Sequence, residues 1–232
     1  MGAGRRWIIA IDGPAGVGKS TVGHLVAKRL GYGFINTGEM YRALTWKALE
    51  ERIDLADAPA VVRLARRLRW EFRPTGEGTT LKTYIDGEGV TTRIRDERVG
   101  KNSSLVAGIP GVRRHLRNLQ RELGKDGGIV MEGRDITTNV FPEAEVKIYL
   151  DASVDERALR RYRQLKAAGH EAGLERIKER ILVRDRMDIE RRINPLAQAP
   201  DAIVIDSTRM SLHEVAEVIL RHVRSRRRDG SR

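Results

Sequence analysis

Cysteine is missing from all 232 residues, which excludes a disulfide framework and any thiolate-bound zinc or iron–sulfur centre. Long apolar runs are missing as well; none approaches the ~20 residues that cross a bilayer. Nor is there a secretory h-region or cleavage site, because the N-terminal segment passes straight into the apolar run Trp7-Ile8-Ile9-Ala10-Ile11 and. Internal repeats and low-complexity segments are absent before the C-terminal tail. These absences leave the expectation of a cytoplasmic enzyme or binding protein with no membrane partner.

What is there fits a globular chain. Hydrophobic residues make up 40 % and charged residues 33 %, and a chain of this length buries roughly 70–75 % of its unfolded surface. Lys plus Arg number 44 against 32 Asp plus Glu, a net charge of +12, and 35 of those cations are arginine. Guanidinium forks suit phosphates, although an Arg-heavy surface also follows from genome composition. From Arg221 onward the tail holds six Arg and one Asp, so five of the twelve net charges are local. The charge is therefore a weak pointer to nucleic acid, which is not expected as a partner.

Hydrophobic periodicity organises the chain. Residues 7–11 read as a strand, Ser20–Leu30 as an amphipathic helix and Phe34-Ile35 as a second strand. Helices are predicted over 39–52 and 57–68, with Pro59 tolerated in a first turn. Trp70–Arg73, Leu81–Ile85 and Val90–Thr92 read as a small antiparallel meander between glycine turns. A helix follows Pro110, with Val112, Leu116, Leu119 and Leu123 at helical spacing. Ile129–Met131, Val146–Leu150 and Ile203–Ile205 are buried-strand candidates. Ser153 with Glu156 and Ser211 with Glu214 are capping boxes, and Leu174–Arg192 is a charged helix. Five apolar strands alternating with helices predict an α/β fold: a doubly wound parallel sheet of about five strands. Two inserts interrupt it, over about 38–125 and 160–195.

Gly13-Pro14-Ala15-Gly16-Val17-Gly18-Lys19-Ser20 fits G-x-x-x-x-G-K-[ST] between a strand and a helix, the context that a phosphate-binding loop (P-loop) requires and. Glycines let backbone N–H groups converge on phosphate oxygens at the positive end of the helix. Lys19 would reach the β/γ-phosphates and the Ser20 hydroxyl a Mg²⁺ ion. A plain glycine turn is the structural alternative, and its placement argues against it. The loop is therefore read as binding a nucleoside triphosphate. A GTPase would need an N-K-x-D motif, and none is present. The two inserts suggest a small-molecule kinase, one flap serving the acceptor and an Arg-rich lid covering the triphosphate.

Other motifs sharpen this. Asp12-Gly13-Pro14 through Ser20-Thr21 is followed by Asn36-Thr37-Gly38-Glu39-Met40-Tyr41-Arg42, then Gln120-Arg121 and Glu132-Gly133-Arg134-Asp135-Ile136. Val140-Phe141-Pro142, Arg184-Asp185-x-x-Asp188-x-x-Arg191, Pro195-Leu196 and Asp206-Ser207-Thr208 complete the set. From about residue 7 to 222 the chain resembles the bacterial cytidylate kinases, nucleoside monophosphate kinases of pyrimidine nucleotide metabolism. The meander at 70–94 matches their extended nucleotide-binding insert. One departure stands out: Thr137-Thr138-Asn139 occupies a stretch that in the family usually reads Gly-Thr-Val.

The resemblance implies ATP-dependent phosphorylation of CMP and dCMP by direct in-line transfer. It implies a P-loop core over 1–37, 126–159 and 196–224, an acceptor-binding insert over 38–125, a lid over 160–195 and a basic disordered tail over 225–232. Gly13 through Thr21 would bind ATP, with Lys19, Arg134, Arg184 and Arg191 catalytic. Thr37, Tyr41, Arg42, Ser104, Arg113, Arg134, Asp135, Arg184, Asp188 and Arg191 would bind CMP. In that set Arg42, Arg134 and Arg191 clamp the monophosphate, and Arg184 and Asp188 hold the sugar. Asp135, Ser104 and Arg113 read the base. Arg184, with Arg160 and Arg161 as further candidates, would neutralise the transferring group, and Glu132 would hold Mg²⁺ through water. Any one Arg is otherwise a solvated charge, Tyr41 simple core, and Asp188 a helical partner of Arg184 or Arg191. Nucleotides are the expected partners and a monomer the expected state. A kinase for UMP or AMP, or a nucleic-acid-associated P-loop ATPase using the basic tail, remains the alternative.

Overall fold

Residues 6–75 and 79–229 are described by the computed structural model of the chain. In chain order, β1 (Ile8–Asp12), α1 (Lys19–Leu30) and β2 (Gly33–Asn36) open the core. The first insert holds α2 (Thr37–Glu50), α3 (Ala58–Arg67), β3 (Trp70–Pro74), β4 (Leu81–Ile85), β5 (Glu88–Gly89), α4 (Glu97–Gly108) and α5 (Pro110–Gly124). Then come β6 (Ile129–Glu132), β7 (Val146–Asp151), α6 (Val154–Ala167), α7 (Leu174–Glu190), β8 (Ile203–Asp206) and α8 (Leu212–Asp229).

The five apolar runs form one parallel sheet in the order β2-β6-β1-β7-β8. Strand alternation divides its side chains between two layers. Ile9, Ile11, Val130, Ile148 and Leu150 are buried with Val22, Val26, Val215 and Ile219 of α1 and α8. Ala10, Ile35 and Met131 pack on the other face with Ile136 and Val140. The register sets Ile11 beside Glu132 and Asp12 beside Tyr149. The carboxyl ends of the central strands therefore finish together, where ligands bind in open α/β sheets.

The insert carries its own core of Met40, Leu44, Leu64, Ile85, Val90, Val106 and Leu116. It joins the main sheet along β2, where Phe34 N–H donates to the Thr79 carbonyl at 2.8 Å and Phe34 bridges Thr80. Helices α6 and α7 pack together through Ala158, Ile177 and Ile181.

Three sequence expectations need correction. The third meander strand is Glu88–Gly89 rather than Val90–Thr92, because Val90 is drawn out of the hairpin and fully buried in the insert core. Helix α4 escapes the pattern because Gly100, Asn102, Ser103, Ser104 and Gly108 are weak helix formers; burial of Val99, Ser103 and Val106 holds it. The tail beyond 224 is not disordered throughout, since α8 continues to Asp229. Arg226 Nη1 donates to the Glu145 carbonyl at 2.6 Å, and Arg227 hydrogen-bonds the Tyr32 hydroxyl and lies over the Trp7 ring. Residues 230–232 lie outside the described residues.

Candidate active site

The loop after β1 needs its glycines. Gly13, Gly16 and Gly18 have φ of 148°, 82° and 97°, a region that L side chains rarely enter. At Gly13 a Cβ would also land on the Leu150 carbonyl oxygen. Gly18 caps α1 with no side-chain acceptor, so the helix presents its first N–H groups and positive end to an anion. Pro14 and Ala15 are buried, Val17 fully so, while Ser20 and Thr21 are exposed.

Lys19 is buried, and its Nζ donates to the Pro14 carbonyl at 2.7 Å. Burial, with Arg134 adding to it, pulls its ammonium down to about 7 despite Glu132 and Asp12. Ser20 Oγ donates to Glu132 Oε1, and Asn36 Nδ2 donates to Ser20 Oγ at 3.3 Å. A hydroxyl and a carboxylate side by side at the head of α1 suit Mg²⁺, a hard cation that takes few protein oxygens and completes its shell with phosphate and water. Thr37 Oγ1 donates to the Glu132 carbonyl at 2.8 Å, tying α2 to the same strand end.

Asp12, one residue before the loop, is fully buried and accepts from Ile136 N (3.0 Å), Thr137 N (2.7 Å) and Thr137 Oγ1 (2.6 Å). Burial pushes its carboxyl up to about 6 against these hydrogen bonds. The donors come from the segment that departs from the family pattern, which forms one π-helical turn over Ile136–Val140.

The cations converge from three elements. Arg134 follows β6, Arg42 is on α2, and Arg184 and Arg191 lie on and just after α7. Arg134 Nε donates to Asp188 Oδ2 at 2.8 Å. Burial pulls Arg134 down, but Asp188 together with Glu132 and Asp185 more than restores it, and Arg134 in return lowers Asp188 against the opposing effect of burial. Arg42 is lowered by burial and then by Arg161. Arg184 falls to about 10 through burial, then Arg134 and Arg42. Two nitrogens of the group, Arg184 Nε and Arg191 Nη2, are buried with no hydrogen-bond partner.

Beside them lies a cleft of about 310 Å³ lined by Ser104, Leu105, Gly108, Met187, Asp188 and Arg191. Asp135 and Arg113, both buried, pair at 2.6 Å. Arg113 also donates to the Ala107 carbonyl at 3.1 Å and lies over the Tyr41 ring. The acceptor candidates named from the sequence thus follow β6, sit on α2, α4, α5 and α7, or lie just after α7.

Arg160 has other work. It spends its guanidinium on Glu156, the Val17 carbonyl, Ser207 and the Met210 carbonyl, so it braces the loop from behind. Arg161 is exposed, reaches Gln164 and lies near enough to Arg42 to lower it. Residues the motifs did not assign also enter the site. Asp185 Oδ1 accepts from Ala15 N–H at 3.1 Å and Oδ2 pairs with Arg157. Arg157 donates to the Ala15 carbonyl at 3.1 Å and the Ala152 carbonyl at 3.0 Å. A carboxylate adjoining Arg184 in a charged helix was the available signal.

Known proteins resemble this chain. The cytidylate kinase family profile matches residues 9–225. A cytidylate kinase of Geobacillus thermodenitrificans is 49 % identical over 96 % of this chain and 98 % of its own. A bifunctional pantoate ligase/cytidylate kinase of a Synechococcus strain is 50 % identical over 94 % of this chain, which spans 41 % of that protein. Among solved structures, an uncharacterised protein from Eubacterium ventriosum shares the fold, with a TM-score of 0.53 at 11 % identity over 95 % of this chain and 99 % of its own.

Proposed function

This chain belongs to the cytidylate kinase family, and on that premise we propose how its residues divide the work. The reaction is phosphorylation of CMP and dCMP, with ATP as phosphoryl donor. Gly13 through Thr21 wrap the triphosphate of ATP, with Lys19 on the β/γ-phosphates. Ser20, with the Glu132 carboxylate hydrogen-bonded behind it, would hold Mg²⁺, which would supply neutralisation of triphosphate charge. Arg42, Arg134 and Arg191 hold the acceptor phosphate, Arg184 faces the transferring group, and Asp188 serves the sugar with Thr37 and Tyr41 beside it.

One observation carries this reading: half-buried guanidinium groups from three elements meet, two of their nitrogens buried without a hydrogen bond, beside the loop lysine. Cations gathered in that number and partly withdrawn from water are costly unless anions neutralise them. Two phosphate groups placed end to end meet that need and stand in line for transfer. A general base is unnecessary, because a phosphate monoester oxygen is largely ionised at pH 7.

Base choice rests on Asp135, Arg113 and Ser104. Cytosine offers a 4-amino donor where uracil has a carbonyl. A carboxylate accepts from the first and is left unpaired by the second, a mismatch costing about 1–3 kcal/mol. ADP release across CMP, dCMP, UMP, AMP and GMP tests this: CMP and dCMP should exceed UMP at least tenfold in kcat/KM. Equal use of UMP or AMP overturns the base assignment. Release stimulated by nucleic acid without a monophosphate marks an ATPase.

A further inference from the structure

Helix α5 carries arginines at 113, 117 and 121, spaced by four and hence on one face. All three reach the π-helical turn or the residue that caps it. Arg113 pairs with Asp135. Arg117 Nη1 donates to Asn139 Oδ1 at 3.3 Å. Arg121 donates to the carbonyls of Asn139 (Nη2, 2.7 Å) and Val140 (Nε, 2.9 Å). The turn is gripped along its length.

At its centre, the Asn139 side chain has a fixed orientation. Arg117 can only donate, so the amide oxygen must face it and the NH₂ group must face the other way. There Asn139 Nδ2 donates to Asp135 Oδ2 at 3.0 Å. Arg113 Nη2 engages the same oxygen at 2.6 Å. Both strong contacts therefore fall on Oδ2, while Oδ1 stands 3.7 Å from Arg191 Nη2, beyond hydrogen-bond reach.

We propose that Asn139 is a positioning residue for base discrimination: with Arg113 it pins Oδ2 of Asp135 and keeps Oδ1 as the acceptor for the exocyclic amino group of the base. The inference rests on the reading that Asp135 recognises cytosine. Without the amide, the carboxylate turns about its last bond and shares its oxygens among Arg113, Arg191 and the base. CMP then loses a directed acceptor, while UMP, which has no amino group, loses nothing.

Steady-state kinetics with CMP and UMP on Asn139→Leu, Arg117→Leu and Asp135→Ala test this. Each variant's CMP/UMP ratio is internal to it and does not depend on how much of the enzyme folds. Asn139→Leu, close in shape but unable to donate, should lower that ratio about 5- to 10-fold, chiefly through KM for CMP. Arg117→Leu should lower it about 2- to 3-fold, since it only orients the amide. Asp135→Ala should bring it near one. An unchanged ratio in Asn139→Leu, with Asp135→Ala collapsed, overturns the role of Asn139 and leaves the cytosine assignment standing. An unchanged ratio in Asp135→Ala overturns both.

Discussion

Burial first and Arg134 second pull the Lys19 ammonium down to about 7, so the group gives up its proton far more readily than an exposed lysine. An ATP triphosphate against Nζ favours the charged form, so binding draws in a proton. The sign follows. Above pH 7 the free protein holds progressively less of that proton and the complex keeps it, so ATP affinity should fall with rising pH, approaching tenfold per pH unit. Calorimetry in buffers of different ionisation enthalpy should show proton uptake near pH 8, and Lys19→Met should abolish it. A flat profile would remove Lys19 from the phosphates. Lys19→Ala should also lower kcat at least ~10²-fold in a folded protein, since one preorganised charge at a transferring group contributes several kcal/mol.

Between elements, α7 and the loop after β1 are joined through the Asp185–Arg157 ion pair. Asp185 and Arg157 are both buried, and between them they take Ala15 N–H and its carbonyl. Removing one partner leaves the other charged and buried, costing about 3–5 kcal/mol. Asp185→Ala should therefore shift the urea midpoint well down, and Asp185→Asn, which keeps an acceptor for Ala15, by less. Equal losses would show that the loop amide is not what Asp185 serves. This contact also marks the limit of sequence reading. The strand–loop–helix of residues 8–30 and the α5 stripe were legible because glycine spacing and apolar periodicity are local signals. Asp185, Asp12 and Asn139 were not, since each is defined by a partner over 100 residues away or by a π-helical turn with no periodic signature. Helix α4, low in propensity, was hidden for a related reason: its core positions matter only once α2 lies across them.

On the scale of the whole molecule, the parallel sheet separates two ends. The P-loop, Glu132 and the arginine cluster sit at the carboxyl ends of the strands. The last turns of α8 dock at the opposite edge, where Arg226 meets the Glu145 carbonyl just before β7 begins. Truncation after Arg224 should thus lower stability by about 1–2 kcal/mol through lost hydrogen bonds and ring contacts. The kcat/KM for CMP should stay within about threefold. Thermal unfolding and steady-state kinetics on one preparation separate the two effects, and a tenfold loss of kcat/KM would mean the tail acts on the site.

The same docking brings the two extremities of the described chain together. Arg227 lies over the Trp7 ring at 5.4 Å, at the end of the sheet away from the loop after β1. A short linker can span that gap, so the sequence can be closed into a ring or reopened elsewhere in an exposed loop without drawing a strand out of register. By the same geometry, a tether fastened to either extremity leaves the mouth of the nucleotide cleft facing the solution.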